Sequence, residues 1–235
     1  MRIRCDRKVI LMLAVLCVIP SSTLAQKYAP PFPRDGAERV QESERFVIWK
    51  VALEKGKSTG MHQLDLDQVS VTLTEGAIKV TRPDGTWSIE QERFGSVLFE
   101  PKGTVVAEEG LSGDPIRLTV FQLKDAASDP WPITEGVPGQ FPRVGAVKLF
   151  ETDRINVWDA TWRPGERIAR HLHYHAAAAV FLEGGQIHSI SDEGVVDAPV
   201  SRKSGEVVNI TSPRKAPHEE EEAEGTPRAI WVEFK

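Results

Sequence analysis

Histidines set the chemistry available to this sequence. Five of the six lie in its second half, and three of those are packed into GERIARHLHYH as His171, His173 and His175. On a strand, residues two apart share a face and stand about 7 Å apart, so His171 and His173 can converge on one ion if a third ligand arrives from another strand. His218, in SPRKAPH after the strand-like EVVNIT, is placed to supply it. Imidazole suits Fe, Mn, Ni, Cu or Zn, and three protein ligands with open positions describe a catalytic rather than a structural site. The expectation is one divalent transition metal held by His171, His173 and His218. His175 offers an additional ligand or a donor behind the ligands. His188, in GGQIHSIS, alternates outward, and His62, without histidine neighbours, is a pocket histidine rather than a ligand.

The elements that must position these side chains occur twice. ESERFVIWKVALEKG (42–56) and ETDRINVWDATWRPG (151–165) align without a gap at an offset of 109 residues, matching Glu42 to Glu151, Arg45 to Arg154, Trp49 to Trp158 and Gly56 to Gly165. The same offset carries His62 onto His171 and Gly76 onto Gly185, and after a small drift the closing FQLK pairs with VEFK. Such self-similarity is the mark of repeated architecture. Each unit reads as short strands, because β-branched and aromatic residues alternate between turn signals such as PDG and DEG. Trp49, Trp158, Trp162 and Trp231 fall at core-like spacing, with pocket lining by Trp158 or Trp162 as the sharper alternative. Many short strands in units of about 90 residues suggest small barrels or jelly rolls. The chain therefore divides into 1–25, an export signal; 26–40, an extended arm; 41–125, a first barrel; 126–145, a proline-rich linker; and 146–235, a second barrel.

Gly165 followed by five residues and His-x-His, then Gly205-Glu206-Val207, Pro213 and His218, resembles the two motifs of the cupin superfamily. The run GMHQLDLDQVSVTLTEGAIKVTRPDGT of the first unit is similar to small single-domain cupins of the β-alanine degradation type. The resemblance implies an all-β chain of two double-stranded β-helix (jelly-roll) barrels in tandem, a bicupin. It also implies a degenerate first site. His62 keeps the first ligand position, Leu64 and Val106 take the next two, and Asp67 joins His62 in the pocket of the N-terminal barrel. In the second unit Ala176 stands opposite Asp67. The run Glu219 to Glu222 reads as a solvated strand edge, with a single unnamed Glu reaching the metal as the lesser alternative, so the expected centre has three histidines and no acid. A divalent ion would keep its full +2 there, favouring an anionic small-molecule ligand or substrate. The function classes that follow are a metal-dependent oxygenase, isomerase or lyase, a non-catalytic ligand-binding protein, or a structural cupin, with a homodimer as an open alternative.

The first 25 residues join a basic start (MRIRCDRK), an apolar run of 11 and a small-residue exit ending at Ala25. That is the order of a secretory signal peptide, too short in its apolar part to span a bilayer. The expected protein is periplasmic or secreted, begins at Gln26 and keeps no membrane anchor. Both cysteines, Cys5 and Cys17, go with the signal, so the remainder is held by its core alone. The segment carries four basic residues and one acid, which takes the net charge from −5 to −8 and argues against nucleic acid as a partner.

Overall fold

The computed structural model describes residues 28–126, 131–213 and 216–235; the segment read as an export signal lies outside the described residues. Among those residues every regular element is a strand. The first half holds β1 (Ala37–Glu42), β2 (Phe46–Leu53), β3 (His62–Gln63), β4 (Asp67–Thr72), β5 (Gly76–Thr81), β6 (Trp87–Glu92), β7 (Val97–Glu100), β8 (Val105–Gly110) and β9 (Ile116–Leu123). The second holds β10 (Ala146–Glu151), β11 (Ile155–Thr161), β12 (Ile168–His171), β13 (Ala177–Ser191), β14 (Val200–Arg202), β15 (Val207–Ile210) and β16 (His218–Phe234). The first half forms two sheets, ordered β1-β2-β9-β4-β7 and β3-β8-β5-β6. The second forms one sheet, β10-β11-β16-β13-β14, with β12 on β16 and β15 on β13. The fold is all-β, and in none of these sheets does the strand order close on itself.

β13 and β16, of 15 and 17 residues, pair with each other along most of their length. They bend where the pairing register slips, between Phe181 and Glu183 and again to Ile187. At that corner Gly185 pairs with Gly225, and a Cβ on Gly185 would sit 2.5 Å from the Glu224 carbonyl oxygen. Only glycine lets the two backbones cross so closely.

The two halves repeat each other in register. Ala37 pairs with Val51 and Ala146 with Ala160, and the bulge between Arg39 and Gln41 recurs between Lys148 and Phe150. Gly36 and Gly145 have φ of +74° and +72°, and a Cβ on them would strike the carbonyl oxygen of Ala52 and Thr161 respectively. The segments before β1 and β10 match as well. Gln63 N–H donates to Ala29 (2.9 Å) and Leu172 N–H to Pro138 (3.0 Å), while Phe32 stacks on Trp49 and Phe141 on Trp158. The residues read as arm and linker thus pack in the same way, each against the strands that follow it.

Period-2 alternation divides the apolar residues between two faces. From β2, Val47, Trp49, Val51 and Leu53 point into the core of the first half, with Ile116 and Leu118. Phe46 and Ile48 point the other way, where with Val69 and Phe121 they meet Ile155, Val157, Ile230 and Phe234 of the second half. The second half has its own core on the remaining face, around Trp158, Trp162, Phe181 and Trp231. Both faces of β2 and β11 are therefore covered.

Charged side chains clip the halves together. Arg45 donates to the carbonyl of Lys235 at 2.8 Å; its counterpart Arg154 donates to Asp67 at 2.9 Å and to the Leu123 carbonyl at 3.2 Å. Arg154→Ala leaves the part-buried Asp67 and two strand-end carbonyls short of a donor. A loss of about 1–3 kcal/mol is expected, read as a lower urea midpoint with unchanged slope; an unchanged midpoint would remove this clip from the account of the interface.

Candidate metal centre

The centre forms where β12 lies against the first third of β16. His171 is the last residue of β12 and pairs directly with His218, the first of β16. Leu172 bridges to Gly139, and His173 follows it just beyond the strand end. The ring centroids lie 4.3 Å apart for His171 and His218, 5.2 Å for His173 and His218, and 5.3 Å for His171 and His173. All three histidines are buried.

A fourth donor joins them. Glu220 stands two residues after His218, hence on the same face of β16, and its Oε1 lies 3.5 Å from His218 Nε2. The ligand atoms of His171, His173, His218 and Glu220 all lie within 4.8 Å of one another. This corrects the expectation of an acid-free centre. The acid comes from β16, inside the glutamate run read as a solvated edge, rather than from the position of Ala176. That edge is covered by β12 and by β13, which pair with Glu220 on its two sides. A divalent ion held by three neutral imidazoles and one carboxylate keeps a net +1, not +2.

The hydrogen bonds leave nitrogens of His171 and His218 free to meet an ion. His171 Nδ1 lies 2.9 Å from the carbonyl of Ala169, which assigns the proton to Nδ1 and the lone pair to Nε2. His171 Nε2 and both ring nitrogens of His218 are buried without a hydrogen-bond partner. Buried polar atoms are rarely left so, and a cation bound among them would satisfy the cluster. One outer oxygen of Glu220, Oε2, accepts from the indole N–H of Trp162 at 2.9 Å.

Charge and burial act in opposite directions here. Burial pushes the His171 imidazolium below the ordinary histidine range, and Glu220 only partly offsets it. Burial alone would raise Glu220, but His218, His171 and Arg143 outweigh it and hold the carboxyl well below its usual range. Arg143, buried beside them, is lowered to about 10 and stays cationic near neutrality. In the first half, burial likewise lowers His62. A histidine whose folded value is depressed binds fewer protons than the unfolded chain at pH values just below 6.5. The metal-free protein is therefore expected to lose stability as pH falls below about 6.5; equal melting temperatures at pH 7.5 and 5.5 would contradict it.

A cavity of about 630 Å³ opens beside the cluster, with His173 and Glu220 in its wall together with Trp162, Phe181, Trp231 and Arg202. This is within the usual size of a small-molecule site. The Trp231 indole N–H is buried there without a partner. Trp162 and Trp231, read mainly as core, also line this cavity.

The remaining sequence-predicted residues lie elsewhere. His175 is half-buried and outside the cluster. His62 pairs with Val106 on β8 as His171 pairs with His218, and its Nδ1 lies 3.0 Å from the Gly60 carbonyl. It lines a cavity of about 30 Å³ with Arg34, Glu100 and Glu108. Asp67 is not in that wall; it accepts from Lys102 N–H (2.7 Å) and from Arg154 (2.9 Å) at the junction of the halves.

No protein-family model and no curated protein sequence matches the chain. Solved structures do match its fold. A cupin 2 conserved barrel domain protein from Leptotrichia buccalis is 17% identical, with a TM-score of 0.55 over 85% of this chain and 88% of its own. Oxalate decarboxylase of Bacillus subtilis, in a structure concerned with its Mn(II) centres, is 14% identical with a TM-score of 0.54 over 85% and 72%. Salicylate 1,2-dioxygenase from Pseudoaminobacter salicylatoxidans is 10% identical with a TM-score of 0.55 over 81% and 71%. At these identities the likeness is one of fold.

Proposed function

We propose that the chain is an exported bicupin that binds one divalent transition metal in its C-terminal half, through His171, His173, His218 and Glu220, and uses it on a small anionic organic molecule. The observation that carries the reading is the burial of three imidazoles and a carboxylate around one point, with His171 Nε2 and the His218 ring nitrogens lacking a hydrogen-bond partner. The metal would supply Lewis acidity toward an oxygen of the bound molecule. The chain's own contribution is a net +1 centre, a wall of aromatic side chains, and the unused Trp231 N–H as a donor for an acceptor oxygen. The Mn(II) of one structural neighbour and the dioxygenase activity of another are consistent with an oxidative or decarboxylating reaction.

The two-barrel part of the reading rests on registers, bulges and glycine turns that recur at the 109-residue offset. In the first half the ligand positions are occupied by Leu64 and Val106, neither of which offers a lone pair. One metal per chain is therefore expected, and two would place a second centre where this reading has none. The export part rests on the basic, apolar and small-residue order of residues 1–25. N-terminal sequencing of the protein from an expressing cell is expected to begin at Gln26, and a mature chain starting at Met1 would refute export. The function itself is tested by loading the purified protein with Mn2+, Fe2+, Co2+ or Zn2+ and following oxygen uptake and CO2 release with small mono- and dicarboxylic acids. Turnover with any of them supports an enzyme. Binding of the acids without turnover would support a ligand-binding cupin.

A further inference from the structure

The two halves of the chain contain the same arginine–glutamate pair in two different states. In the first half, Arg34 precedes β1, Glu108 lies on β8 two residues past Val106, and Arg34 Nη2 contacts Glu108 Oε2 at 3.3 Å. In the second half the corresponding residues, at the same place in the register, are Arg143 and Glu220. These two are near neighbours but do not bond. Arg143 Nη1 instead donates to the Val144 carbonyl at 3.0 Å, and its Nε and Nη2 are buried without a partner. Besides the ligand positions, the halves differ at the end of the second strand. The residue there is Leu53 in the first and Trp162 in the second, both buried. Trp162 donates its indole N–H to Glu220 Oε2 at 2.9 Å, and the Arg143 guanidinium lies over its ring, 4.5 Å from the centroid.

We infer that Trp162 is the positioning residue of the centre: its N–H holds one oxygen of Glu220, its ring holds Arg143 off that carboxylate, and the second oxygen is left facing the histidines. The inference rests on the metal-binding reading above. The physical case is a competition. A guanidinium beside a carboxylate normally takes both oxygens in a charge-assisted fork, which would withdraw Glu220 from an ion. Stacking over an indole gives the cation another favourable place, and a single neutral N–H bond fixes the carboxylate without neutralising it. The half with leucine at this place has the salt bridge and has lost its ligands; the half with tryptophan keeps both the free carboxylate and the histidines. Groups behind metal ligands that orient them typically contribute 10- to 100-fold in affinity.

The test uses the chain from Gln26 onward, Mn2+ alone as probe, and equilibrium binding with electron paramagnetic resonance of the bound ion. Trp162→Phe has no N–H to hold Glu220, and its smaller ring, a weaker seat for a cation than an indole, loosens the hold on Arg143. Its Mn2+ dissociation constant is expected to rise 10- to 100-fold, with an altered resonance line shape approaching that of Glu220→Gln. Adding Arg143→Met to Trp162→Phe removes the competing cation and should regain most of that loss, which a merely structural tryptophan would not allow. Wild-type affinity and line shape in Trp162→Phe, or no recovery in the double variant, would overturn the inference while leaving the metal centre in place. A wild-type chain that takes up no Mn2+, Co2+ or Zn2+ would instead overturn the metal reading and the inference with it. If Trp162→Phe does not fold, the folded Glu220→Ala chain, which has no acceptor at that place, decides with 15N-labelled indoles: an unchanged Trp162 N–H resonance refutes the hydrogen bond, and a shifted one upholds it.

Discussion

Replacing His218 by alanine is expected to take the metal content of the purified protein from about one ion per chain to near zero at stoichiometric metal. His218 is the hinge of the cluster. Its ring is 4.3 Å from His171 and 5.2 Å from His173, and its Nε2 is 3.5 Å from the carboxylate. Its removal takes away one of four converging ligand groups and leaves two imidazoles and a carboxylate around an open side. His62→Ala is the matched control, because it deletes a similarly buried imidazole from the place in the other half that corresponds to His171. It should leave metal content unchanged and lower only stability. Metal analysis on the two variants, with melting curves to confirm folding, separates the outcomes. Full retention of metal in His218→Ala, or its loss in His62→Ala, would show that the ion sits in the wrong half of this account. Loss in His175→Ala would bring that residue into the ligand set from which its position now excludes it.

Phe46→Ala is expected to destabilise the whole chain by about 3–5 kcal/mol, the range for large-to-small changes of a buried aromatic. Phe46 is fully buried and stacks on Phe234 with ring centroids 5.3 Å apart. It thus belongs to the apolar layer shared by the halves rather than to the core of either. Against a usual total of 5–15 kcal/mol the loss is large. For a chain of this size it corresponds to a fall of roughly 6–20 °C in melting temperature. Because the layer draws on β2, β4 and β9 on one side and β11, β13 and β16 on the other, both halves should melt in one transition. Two separate transitions in the wild type, with only the first moved by Phe46→Ala, would mean that the halves fold independently and that the shared layer contributes little.

Much of this arrangement was legible in the linear sequence because it depends on local periods. Alternation of Phe46, Ile48 and their neighbours specifies strands, the 109-residue offset specifies that one plan is used twice, and His171-x-His173 specifies two imidazoles able to share a face. The pairing of His171 with His218 followed from the same repeat, since Val106 holds the matching place opposite His62. The acidic member of the cluster was missed for a reason that is itself local. His218-x-Glu220 has the same spacing as the histidine pair, so the signal was present. It was hidden in four consecutive glutamates, of which alternation puts two on each face.

Other features are settled by contacts between residues far apart in the chain, which no period records. Strand alternation tells which side chains share a face but not what will cover it. β2 and β11 are apolar on both sides, and only the packed structure divides those sides between a private core and the layer joining the halves. Asp67 was read as a pocket acid with His62; its neighbour at the junction is Arg154, 87 positions later in the chain. Glu220 is fixed by Trp162, 58 positions earlier, and nothing in either residue's surroundings announces the bond. The sequence by itself thus determined the strands, their repetition and the histidine side of the centre, because these follow from neighbours within a few residues. Which carboxylate completes the centre, and which arginine is kept from it, were decided only when β11, β12 and β16 came together and burial left each polar group to find its partner among those within reach.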